Sequence, residues 1–87
     1  MAKTLRSQRH QRFIDLLVEY RKRAGLSQAE VAEALGRYQS VVASIESGSR
    51  RVDVVELLDL AEVIGFDASE LLMELSRTPS ARERKNS

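Results

Sequence analysis

The 87 residues include no cysteine, and histidine and proline occur once each. Without a thiol there is no disulfide and no thiolate metal site, and nothing points to an oxidising compartment. The single histidine, His10, leaves a metal centre or a Cys/His catalytic pair without parts. No apolar run approaches the ~18–20 residues that span a bilayer. The opening stretch MAKTLRSQRH is basic, but no apolar segment of signal-peptide type follows it. There is also no paired acid and base, no partnered nucleophile and no phosphate-cradling glycine loop in a βα setting, which makes an enzyme the least expected class. The expectation is a small cytoplasmic domain with no cofactor and no metal.

What is present is charge, and it is unevenly placed. The net charge is +1. Residues 1–12 hold Lys3, Arg6, Arg9 and Arg12 with no acid, and residues 77–87 hold Arg77, Arg82, Arg84 and Lys85 against Glu83. Between them the bases all precede residue 52, and the stretch from Asp53 to Glu74 carries seven acids and no base. A compact fold of this chain has a basic side and an acidic side, which suits a polyanion on one side only. Ordinary solvated helix faces would give the same count.

Helix ends are written into the chain three times over. Ser27, Asp53 and Asp67 are each followed three residues later by an acid, Glu30, Glu56 and Glu70, the spacing of a capping box. Each is flanked for a hydrophobic staple: Leu26 with Val31, Val52 with Leu57, Phe66 with Leu71. Gly25, Gly36 and Gly65 stand where the preceding helices should stop. Ser7 marks the start of the first helix. Its stripe is Phe13, Leu16, Leu17, Tyr20 and Ala24, widened by Ile14 and Val18. The second helix, about 27–35, offers Val31, Ala32 and Leu35; the third, about 38–47, offers Val42 and Ile45 with Val41 beside them. The fourth, 53–64, offers Val54, Leu57, Leu58, Ala61 and Ile64, plus Val55, Leu60 and Val63; the fifth, 67–75, offers Leu71, Leu72 and Leu75. No period-two alternation persists long enough for a strand. The reading is an all-α, compact five-helix domain over residues 7–76, with a flexible basic arm at 1–6 and a disordered polar tail at 77–87.

The two short helices joined through Gly36 are the informative part. A helix-turn-helix needs a small residue where the next helix crosses, as at Ala32, a glycine at the turn, and apolar anchors such as Val42 and Ile45 on the second helix. A generic αα corner makes the same demands. The stretch AGLSQAEVAEALG, followed by QSVVASIESGSRR, is more specific. With Leu26-Ser27-Gln28, Gly36, and Ile45-Glu46 ahead of Gly48, it strongly resembles the lambda-repressor/Cro-like (XRE-type) family of helix-turn-helix regulators. The resemblance covers roughly residues 10–75, with the motif itself at about 27–47.

That resemblance implies a third helix in the major groove, with bases read near its start and one turn on. The matching residues are Gln39, Ser40 and Ser44. Glutamine can bond adenine N6 and N7 together, whereas serine is permissive, so Gln39 is the sharpest reader. Short side chains at Ala43 and the serines leave a larger share to phosphates and DNA shape. Phosphate contacts are expected from Gln28 at the start of the second helix, from Arg37 before the third, and from the turn with Ser47, Ser49, Arg50 and Arg51. The basic segment from Lys3 to Arg12 can wrap the duplex or serve solubility alone, and His10 is assigned no role. The family pairs an arginine with a glutamate at Arg21 and Glu46, which here would fix the angle of the third helix. The implied function is sequence-specific binding of double-stranded, palindromic DNA by a homodimeric transcriptional regulator, a repressor. Its interface would be formed by the fourth and fifth helices through Val55, Val63, Leu72 and Met73. Two alternatives stay open: an antitoxin that binds a toxin through its acidic, apolar half as well as its operator, and a protein-interaction module that has lost DNA binding.

Overall fold

Side-chain capping starts four of the five helices. Ser7 accepts the His10 amide and opens α1 (Gln8–Arg23). The reciprocal box closes at Ser27, opening α2 (Gln28–Leu35), and at Asp53, opening α4 (Val54–Ile64). Asp67 instead spends its carboxylate on two amides, those of Ser69 and Glu70, and opens α5 (Ala68–Arg77). The third helix, α3 (Gln39–Ser47), has Tyr38 at its N-cap, which makes no side-chain capping bond. The structure, a computed structural model, describes residues 7–80, and among these there is no strand.

Three of the stops are the glycines expected to lie at helix ends, and a fourth was hidden inside the Ser47–Arg51 turn. Gly48 closes α3 at φ 88°, a left-handed conformation that a side chain disfavours. The five-helix, all-α expectation holds.

The core forms where α1, α2, α3, α4 and α5 turn their apolar faces inward: Leu17, Val31, Leu60 and Leu71 are essentially sealed from solvent. Full burial of each such side chain stabilises by about 1.5–3 kcal/mol. Ala32 is buried where α2 meets α3, the close approach that its size permits. α1 packs against α3 and α5, so both helices are referenced to the first. Leu26, Val52 and Phe66, the outer halves of the staples, pack partly buried against the core.

Several expected placements shift. On α4 the buried face is Leu57, Leu60, Ala61 and Ile64, while Val54 and Leu58, read as part of the stripe, are exposed. An 11-residue helix with so many apolar positions has no unique inward face until its neighbours are placed. Ala24 is exposed at the end of α1, and Leu72 is exposed on α5. Tyr20 stacks on Phe66, ring centroids 4.6 Å apart. At the chain ends, Arg9 and Arg12 belong to α1 rather than to a free arm. Arg9 donates to the Thr78 carbonyl at 2.9 and 3.1 Å and Arg12 pairs with Glu74 at 3.0 Å. His10 is buried beside Phe13. α5 runs to Arg77 with Thr78 as its cap, two residues past the expected end at Leu75. The expectations for residues 1–6 and 81–87 lie outside the described residues.

Candidate nucleic-acid interface

α2 and α3 present their first residues, Gln28 and Gln39, toward each other. The side chains meet through a chain of bonds that begins in the core. Arg21 on α1 grips Glu46 on α3 with a guanidinium fork, Nε to Oε2 at 2.6 Å and Nη2 to Oε1 at 3.0 Å. The pair is nearly buried, at 11% and 8% side-chain exposure. A third guanidinium bond runs from Nη1 to the Leu26 carbonyl at 2.8 Å, tying α1 to the entrance of α2. The hydrogen bond to Glu46, ahead of the opposing cost of burial, raises the Arg21 pKa above its ordinary value, so the fork stays charged. Glu46 Oε1 also accepts from Gln28 Nε2 at 2.8 Å, and Gln28 Oε1 accepts from Gln39 Nε2 at 3.4 Å. Arg21, Glu46, Gln28 and Gln39 therefore form one line from core to surface.

Ser40 and Gln39 stand exposed at the start of α3. Ser44, one turn on, donates its hydroxyl to the Ser40 carbonyl at 2.8 Å, leaving the oxygen lone pairs as its polar face. Ser47 and Ser49 both turn their hydroxyls to the Ser44 carbonyl and lie 3.2 Å from each other. They knit the turn after α3 as much as they decorate it.

Arg37 and Arg50, on opposite sides of α3 in sequence, converge on one carboxylate. Arg37 lies 3.5 Å from Glu56 Oε2, and Arg50 bonds the same oxygen. Glu56 Oε1 meanwhile closes the α4 capping box on the Asp53 amide. Arg51 is exposed on the same turn. The pair of Arg21 and Glu46 is the one that the resemblance implied, whereas the contacts of Gln28 with Glu46 and with Gln39 were not foreseen. The sequence reading missed two residues. Tyr38, 83% exposed immediately ahead of Gln39, was absorbed into the third helix, though its place beside that glutamine was the signal. Glu56 was read only as a capping acid, and no pattern along the chain reveals the two arginines that fold onto it.

Tyr38 makes no side-chain capping bond, and its carbonyl accepts the Val41 amide at 3.0 Å, which leaves the Gln39 and Ser40 amides at the start of α3 without a side-chain cap. Among the described residues no group of histidines and acids is placed to hold a metal ion, and no helix is long and apolar enough to cross a membrane.

Known proteins share this fold. The family described as a helix-turn-helix domain matches residues 1–72. An uncharacterised HTH-type transcriptional regulator, y4dJ, of Sinorhizobium fredii is 36% identical over 59 residues, 68% of this chain and 77% of that protein. Among solved structures, an XRE-family like protein from Pseudomonas syringae pv. tomato superposes with a TM-score of 0.76 at 46% identity, covering 82% of this chain and 88% of its own. The restriction-modification controller protein C.AhdI from Aeromonas hydrophila superposes at 0.66 with 35% identity, covering 71% and 94%.

Proposed function

The chain belongs to the XRE-type helix-turn-helix family of DNA-binding transcriptional regulators, and from that premise we propose that it binds a palindromic operator as a homodimer and represses by occupying it. The observation that carries this reading is the placement of Gln39. Its amide stands exposed at the first position of α3, and Gln28 holds it on a support that reaches the core. A positioned amide can meet adenine N6 and N7 together without first losing rotamer freedom. Ser40 and Ser44 extend the reading surface along α3. The Gln39 and Ser40 amides at the start of α3, the second N–H of Gln28, and Arg37, Ser47, Ser49, Arg50 and Arg51 supply the backbone contacts that set register.

One reading helix touches too few base pairs to specify a site, and two-fold symmetry doubles the number. Support for a dimer through α4 and α5 comes from large apolar side chains left in solvent: Val55 at 67%, Leu72 at 52% and Met73 at 56% exposure. Val63, the fourth residue expected there, packs partly buried against the core instead. Leu72 and Val54 also line an apolar groove of about 270 Å³ with Phe13, Leu57 and Leu75, so the apolar surface continues between the two helices.

Selection of bound duplexes from a random pool, followed by a salt series on the winner, tests the reading. The expected result is an inverted-repeat consensus and a linear fall of log affinity with log salt. Recovery of no enriched sequence, or a flat salt series, would remove it.

A further inference from the structure

The convergence of Arg37 and Arg50 on Glu56 does more than tidy a loop. Arg37 comes just before α3 and Arg50 just after it, yet both guanidiniums close on Glu56 Oε2. The carboxylate has its other oxygen committed to the Asp53 amide. One negative charge therefore faces two positive ones. Arg50 also keeps a buried Nε–H that finds no acceptor, so its donors outnumber what the protein offers them. The layering is as informative as the count. Arg37 and Arg50 are 41% and 37% exposed, whereas Glu56 is 18% exposed beneath them. An anion arriving from solvent meets the guanidiniums first and the carboxylate last. Asp59, itself exposed, lines a crevice with Arg37 and Glu56, so a second acid stands near this carboxylate.

We propose that Arg37 and Arg50 build an anion site whose resident occupant is the Glu56 carboxylate, and that Glu56 thereby limits how strongly a DNA phosphate is held there. The proposal rests on the DNA-binding reading for the identity of the competing anion, a phosphodiester, but not for the existence of the site. Half-exposed ion pairs are weakly held, so a phosphate can share or displace Glu56. Each such contest weakens a contact that is the same for every sequence and leaves the base contacts of α3 untouched. Glu56 is then a specificity-determining residue that never touches a base: it lowers non-specific binding relative to operator binding.

The test uses Glu56→Gln, because glutamine retains the acceptor that the capping box needs while removing the charge. Glu62→Gln, on the exposed side of α4, changes net charge equally at a distance from the arginines. Affinity for a duplex of arbitrary sequence is measured by fluorescence anisotropy across a salt series for wild type and both variants. In parallel, inorganic phosphate is titrated into each protein while the arginine Nε–H resonances are followed by NMR. Glu56→Gln is expected to bind the duplex at least about threefold more tightly at low salt, with a salt slope steeper by roughly one, and Glu62→Gln to stay near wild type. The Arg50 Nε–H of Glu56→Gln is expected to shift with phosphate at concentrations that leave wild type unmoved. Where wild type binds the duplex, equal or weaker binding by Glu56→Gln or an equal gain in Glu62→Gln would overturn the proposal, and no phosphate response in Glu56→Gln would overturn it in every case. A phosphate response in Glu56→Gln with no duplex binding by any of the three proteins would uphold the site and reject DNA as its source of phosphate.

Discussion

Gln28 uses both ends of its amide inside the protein, Nε2 toward Glu46 and Oε1 toward Gln39, and still has one N–H left over. That remaining donor is what a phosphate can take without dismantling the support of Gln39. Base and backbone contacts then separate cleanly by substitution. Gln39→Ala should cost about 1–3 kcal/mol on the preferred site and relax one position per half-site in a repeated selection. Arg51→Ala should weaken all sequences alike and shrink the salt slope by roughly one, because a guanidinium on a phosphate releases a counterion whatever the neighbouring base. Tyr20 gives a handle on stability at the same scale. Burial first, and then the charges of Glu70 and Glu19, raise its pKa above the ordinary 10.0. The folded state therefore favours the neutral phenol. Its contribution is complete below pH 10.0 and is lost as pH rises through the raised folded value. Thermal melts at alkaline pH should show that loss, and Tyr20→Phe, which keeps the stack on Phe66, should flatten it.

Between elements, the fork of Arg21 on Glu46 decides how α3 is held against α1. Arg21→Ala leaves a nearly buried carboxylate without its partner, and a loss of about 3 kcal/mol in urea denaturation is expected. Operator affinity should fall with it, because Glu46 also anchors Gln28. Replacing both partners with apolar residues separates the two effects: stability should largely return while affinity stays low. Helix starts at Ser27 and Asp53 were legible in the sequence because capping chemistry is local, an acceptor and a donor within four residues. The motif was legible through Gly36, Ala32 and Ile45 for the same reason. The inward face of α4 was not, since Val54, Leu57, Leu58 and Leu60 are equally apolar and only the positions of α2 and α5 choose among them. Nor were the partners of Arg9, Arg12, Arg37 and Arg50 legible. Arg9 and Arg12 find theirs 69 and 62 residues away, at Thr78 and Glu74. Arg37 and Arg50 find theirs on the next helix, where Glu56 already had an evident local task.

For the whole molecule, the proposed function requires two copies whose α3 helices lie about 34 Å apart, one turn of B-DNA. Leu72→Glu or Met73→Glu should give a monomer in sedimentation and bind a half-site without preference for the inverted repeat. The α4/α5 interface is rejected if either variant keeps a wild-type mass of twice the chain's, and the dimer itself is rejected if the wild type sediments as a monomer. One further consequence follows from the clasp of Arg9 on the Thr78 carbonyl. It brings the first turn of α1 within one side chain's reach of the end of α5, so the path from Ser7 to Thr78 is nearly a closed ring with a small gap. In a ring the starting point is arbitrary. A circular permutant bridged from Thr78 to Ser7 and opened after Gly65 would begin with α5 and end with α4, leaving α2 and α3 uninterrupted. Its melting curve and operator affinity should match those of the natural order, because what this fold needs is the set of helix contacts and not the sequence in which the ribosome delivers them.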